Sequence, residues 1–161
     1  MDYPADQVIA PLIDLGITHV VWLPDSALGP WEQALAASDK LQLVRVCREG
    51  EAWAIAAGLH LGGMLPLVVI QNTGLFESGD ALRNVLFDLK LPLLAIIGYR
   101  SYLVSGSTDS ARRFTEPIIN AWGLQHILVA KPDDLVKMAD FFRERLARGE
   151  AGVALIAEGR M

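Results

Sequence analysis

Residues 41–71 read LQLVRVCREGEAWAIAAGLHLGGMLPLVVIQ, two apolar runs on either side of a helical stretch. The runs at 41–47 and 66–71 are nearly continuous in Val, Leu and Ile, as strands buried on both faces are. Between them, 50–61 is rich in Ala, Leu, Ile and Trp and is long enough for three helical turns. Strand, helix, strand in this order implies a parallel pair joined by a crossover helix. The same alternation continues on both sides, with further strands predicted at 18–23, 91–98, 124–130 and 152–157. Helices are predicted near 5–15, 28–38, 76–89, 110–121 and 132–148. The expectation is a single α/β domain over 1–161, a doubly wound parallel sheet of about six strands with helices on both faces.

Composition removes several functions. With 52% hydrophobic residues and a net charge of −5, the chain has no basic footprint for nucleic acid. One cysteine, Cys47, excludes an internal disulfide and fits a reducing compartment. The opening MDYPADQVIAPLIDLG lacks the positive start of a signal peptide, and no apolar run approaches the roughly 18 residues of a membrane span. A soluble, cytoplasmic protein is expected. His19, His60 and His126 are scattered, so no metal site is assigned. Dinucleotide, P-loop and hydrolase-elbow motifs are missing.

In parallel sheets, ligands gather outside the carboxyl ends of the strands. The segments that fall there are PDS (24–26), REGE (48–51), NTGLFESGD (72–80), YRSYLVSGSTDS (99–110) and KPDD (131–134). Glu49 and Glu51 suit a helix N-terminus, where an acid contributes about 0.3–1 kcal/mol. Asp25 or Ser26 suits a helix cap. Those roles need no ligand.

CREGEAWAIAAGLHLGG (47–63), followed by LVVIQNTGLFESGDALRN (67–84) and LPLLAIIGYR (91–100), resembles the pyrimidine-binding (Pyr) domain of thiamine-diphosphate enzymes. GITHVVWLPDS (16–26) extends the likeness to nearly the whole chain. It is nearest to the alpha subunits of sulfopyruvate decarboxylase and the matching half of phosphonopyruvate decarboxylase. The resemblance implies that Glu49 exchanges a proton with N1′ of the cofactor's aminopyrimidine ring. A carboxyl group partly withdrawn from water shares a proton more readily. It further implies that Asn72, Thr73 and Gly74, read as a loop after the third strand, lie at the cofactor. Ser26, Asn72 and Arg100 are then substrate contacts, Arg100 through its planar donor fork. The family's Gly after that arginine is replaced by Ser101, and Trp53 stands where smaller residues are usual, either narrowing a pocket or filling the core.

The resemblance also implies a second half, the pyrophosphate-binding (PP) domain. Its Gly-Asp-Gly, followed some distance later by Asn, holds Mg2+ on the diphosphate. Here Ala81 follows Gly79-Asp80. The expected partner is therefore a beta subunit carrying that domain, in a hetero-oligomer with paired alpha subunits. The leading function is a decarboxylase of sulfopyruvate or a similar anionic 2-oxo acid. Its rivals are a carboligase subunit, transferring the decarboxylated fragment to a second acceptor, and a non-catalytic flavodoxin-like binding module.

Overall fold

The computed structural model describes residues 3–23, 25 and 28–159; Ser26 lies outside the described residues. Six strands form one sheet: β1 (His19–Trp22), β2 (Gln42–Arg45), β3 (Pro66–Gln71), β4 (Leu94–Tyr99), β5 (His126–Val129) and β6 (Gly152–Ala157). Their order is β2-β1-β3-β4-β6-β5, and every adjacent pair is parallel. The helices are α1 (Ala5–Asp14), α2 (Glu32–Ala36), α3 (Glu49–Leu61), α4 (Asn72–Glu77), α5 (Gly79–Arg83), α6 (Ser110–Ala121) and α7 (Leu135–Arg148). The expected single α/β domain is borne out.

The period of two along each strand divides the interior into two cores. Val20, Trp22, Leu67, Val69, Leu94, Ile96, Ala154 and Ile156 face one side, under α1, α2 and α7. Val21, Val68, Ile70, Ala95, Ile97, Val153 and Leu155 face the other, under α3, α5 and α6. Because β3 and β4 are covered on both faces, they carry no alternation of polar and apolar residues. The chain order reverses at β1/β3, where β1 is followed on one side by β2 and on the other by β3. Crevices above such reversals are where parallel sheets bind ligands. Asn72 is the first helical residue after β3, which borders that crevice, and Glu49, the first helical residue after β2, lies against Gly74 in the same first turn of α4.

Three expectations need correction. Residues 71–74 are not a loop: α4 starts at Asn72, directly after β3. The helix expected at 76–89 is three shorter pieces, 72–77, 79–83 and a π-helical turn at Asn84–Asp88. The break falls at Ser78, whose hydroxyl donates to the Gly74 carbonyl at 2.6 Å alongside its own N–H at 2.9 Å. The π turn closes with Leu89 N–H on the Asn84 carbonyl, and Lys90 then takes a left-handed φ of 53° to enter β4. Residues 28–38 likewise begin with a 3-10 turn at Gly29–Trp31 before a short α2.

Candidate active site

Arg48 has extended backbone and precedes the first turn of α3, so the N–H groups of that turn need acceptors from elsewhere. Two glutamates brace this start. Glu51 reaches back to accept from Cys47 N–H at 3.1 Å, one residue before the N-cap that a capping box would use. From α4, Glu77 Oε2 accepts from Gly50 N–H at 2.9 Å, while its Oε1 receives Arg48 Nη2 at 2.5 Å and Nε at 3.1 Å. The guanidinium and the amide together hold the Glu77 carboxyl below its ordinary range. Glu51 and Glu77 brace the start of α3, and Glu49 stands between them.

Glu49 is half-buried, and its side chain lies on the backbone of Gly74 in the first turn of α4. A Cβ at position 74 would fall on Glu49 Cγ and stand 2.7 Å from Oε1. The absence of a side chain at Gly74 permits this close approach of Glu49. The seat is fixed from beneath. Trp53 Nε1–H donates to Ser78 Oγ at 3.0 Å, and Ser78 in turn donates to the Gly74 carbonyl. Trp53 is fully buried, so its role is packing, with its indole N–H satisfied as buried tryptophans require.

Asn72 and Thr73 diverge. Asn72 is fully buried and donates Nδ2 to Thr115 Oγ1 at 3.0 Å, and Thr115 donates to the Ala111 carbonyl. This ties α4 to α6, and Asn72 Oδ1 has no hydrogen-bond partner among the described residues. Thr73 instead lines a largely apolar cavity of about 270 Å³ with Phe76, Arg100, Ala111, Phe114 and Ile118.

Arg100 lines that cavity, yet two of its nitrogens are occupied. Nε and Nη2 meet the carboxylate of Asp109 at 2.8 and 3.1 Å. Ser101 explains the missing family glycine. Its φ of 63° is in the region glycine favours, and its hydroxyl bonds Asp109 at 2.8 Å, which offsets the strain. Asp109 also caps α6, accepting from Ala111 N–H at 3.0 Å. The Arg100 guanidinium, then Ser101 and the Ala111 amide, hold the Asp109 carboxyl far below its ordinary 3.8. A carboxyl depressed by folding stabilises the fold above its unfolded value, and that contribution is lost as pH falls toward the folded value. Asp109→Asn keeps the cap but removes the charge. Urea unfolding should show a deficit in the variant at about pH 6 that shrinks steadily below about pH 4.

A second pair of carboxylates lies at the carboxyl ends of β1 and β6. Asp25 Oδ1 accepts from Leu28 N–H at 2.7 Å, the helix-start role expected of PDS. Glu158, only 3% exposed, meets Asp25 above Gly98, where a Cβ would stand 2.7 Å from Asp25 Oδ2 and collide with Glu158 Oε1. The sequence reading missed Glu158, although it follows a predicted strand as Glu49 nearly does. Tyr99 is buried, donates to the Arg112 carbonyl at 3.1 Å, and is pushed up to about 12 by that burial and by Glu116. Among the described residues no set of three or more His, Cys, Asp or Glu is gathered as metal ligands, and no helix is long and apolar enough to cross a membrane.

No protein-family profile matches the chain. It is 32% identical over 152 residues to a phosphonopyruvate decarboxylase of Streptomyces hygroscopicus, covering 91% of this chain and 37% of that protein. It is 24% identical over 157 residues to the sulfopyruvate decarboxylase subunit alpha of Methanococcus maripaludis, covering 96% of this chain and 93% of that subunit. The chain thus spans little more than a third of the first relative and nearly all of the second. Benzoylformate decarboxylase from Polynucleobacter necessarius shares the fold, with a TM-score of 0.75 at 19% identity over 98% of this chain and 30% of that one. The resemblance to the phosphonopyruvate and sulfopyruvate proteins is borne out by these relatives.

Proposed function

We propose that this chain is the alpha, Pyr-type subunit of a two-polypeptide, thiamine-diphosphate-dependent 2-oxo acid decarboxylase. The observation that carries this reading is the seat of Glu49. A half-exposed carboxylate is lodged on Gly74 at the reversal point of a parallel sheet, where a ring nitrogen can approach it. The relatives support it, as does the match to nearly the full length of an alpha subunit.

When bound, thiamine diphosphate supplies the electron sink that lets carbon dioxide leave a 2-oxo acid. The residues of this chain do the rest. Glu49 holds and exchanges a proton at the aminopyrimidine N1′. Trp53, Ser78 and Gly74 fix where that carboxylate sits. Thr73 and Arg100 border the cavity between α4 and α6, and Asn72 ties these two helices together through Thr115. Mg2+ and the diphosphate would be held by a beta subunit bearing the Gly-Asp-Gly…Asn signature. The outer row of α3, with exposed Ala54, Gly58 and Leu61, offers that subunit a close approach.

Isothermal titration tests the division of labour. This chain alone should bind thiamine diphosphate weakly or not at all, with or without magnesium. Micromolar, magnesium-dependent binding without a partner would sink the two-polypeptide reading.

The proposed substrate class is a small 2-oxo acid with an anionic head, such as sulfopyruvate. Asp109 orients the Arg100 fork at the cavity rim, so Arg100→Ala should raise KM for sulfonated or phosphonated acids about tenfold. That is the lower end of what a charge-assisted hydrogen bond supplies. KM for pyruvate should barely change. Equal effects on both would assign Arg100 to structure.

A further inference from the structure

Glu49 has a cation for a neighbour. The Arg48 guanidinium is within electrostatic reach of the Glu49 carboxylate, yet it is bound to Glu77 on α4 through both Nε and Nη2. The arginine is 77% exposed and the glutamate 31%. Ion pairs so exposed contribute little to stability, so stability does not account for the arrangement. Its location does. The same Glu77 accepts Gly50 N–H with its other oxygen, one residue beyond Glu49, and Gly74 of the same helix carries the Glu49 side chain. Helix α4 therefore grips the start of α3 on both sides of Glu49.

We propose that Glu77 is a positioning residue for Glu49: it holds Arg48 away from the Glu49 carboxylate and fixes the turn that presents it. Released from Glu77, Arg48 would find in Glu49 the adjacent carboxylate on its own chain. A guanidinium fork on that carboxylate occupies its oxygens and favours its charged form, which opposes the exchange of a proton with a ring nitrogen. This inference rests on the proposed role of Glu49, but the pairing it predicts is a property of this chain alone.

The test uses Glu77→Gln, Arg48→Ala and the double variant. Glu77→Gln keeps an acceptor for Gly50 N–H and removes the charge that holds Arg48. Its crystal structure should show the Arg48 guanidinium on the Glu49 carboxylate; an Arg48 that stays away from Glu49 overturns the proposal whatever the protein catalyses. In complex with the beta subunit, thiamine diphosphate and Mg2+, hydrogen–deuterium exchange at cofactor C2 should fall about tenfold in Glu77→Gln. Arg48→Ala should leave exchange near the parent rate, and the double variant should recover it. Recovery on removing a second residue is not what loss of a helix cap gives. A double variant as slow as Glu77→Gln overturns the proposal. If the parent complex itself shows no catalysed exchange, the catalytic reading of Glu49 fails, and the crystal structure of Glu77→Gln alone decides whether Glu77 restrains Arg48.

Discussion

Glu49→Gln slows hydrogen–deuterium exchange at C2 of thiamine diphosphate by roughly 10²–10⁴ in the assembled complex, the range positioned acid–base groups supply. Glutamine keeps the shape of the side chain, still fits over Gly74 and still forms a hydrogen bond, but it cannot transfer a proton to or from N1′. Exchange at C2 is the measurement of choice because it precedes and is independent of decarboxylation. Folding and assembly should survive, since Glu51 and Glu77 supply the hydrogen bonds that hold the start of α3. Glu51→Gln is the matched control. Its amide oxygen still accepts from Cys47 N–H, so exchange should match the parent. Parent-like exchange in both variants would reduce Glu49 to a helix-start acid.

Gly74→Ala is the second large effect, and it acts without altering any ionisable group. The added methyl occupies the place of Glu49 Cγ, so the carboxylate must swing out of its seat. A displacement of about 1 Å at a reacting group costs on the order of a hundredfold, and C2 exchange should fall by that much. Alanine is the better helix former by about 1 kcal/mol, and Glu49 has solvent on one side to move into. The melting temperature should therefore hold while exchange collapses. Exchange at the parent rate would show that the seat over Gly74 has no part in placing the carboxylate.

How much of this was legible in sequence depends on how local the cause is. β3 and β6 were predicted residue for residue because an apolar run between turn signals is visible within the run itself. α6 was also predicted to the residue, since Asp109 caps its start and Gly123 ends it with a φ of 65°. The start of α4 was not, because NTG has the composition of a turn. Its helical start is accompanied by burial of Asn72 against Thr115, 43 positions away, which no local pattern announces. Glu49 was singled out because its surroundings in sequence are distinctive. Glu77 and Glu158 carry no local mark, and their places follow from contacts with Arg48 and Gly50, and with Asp25, that exist only once the sheet has formed.

The last strand has a consequence for how the molecule comes into being. β6 lies between β4 and β5, and in the described structure β5 pairs with β6 alone. During synthesis from the amino end, β5 therefore leaves the ribosome with no neighbour, and β4 waits with one edge unpaired. Unpaired edges of apolar strands are templates for association between chains. β6 thus closes a vulnerable interval as well as completing the sheet. Tyr3 fastens that closure, donating to the carbonyls of Val129 on β5 and Ala157 on β6 and so tying the strand pair to the segment before α1.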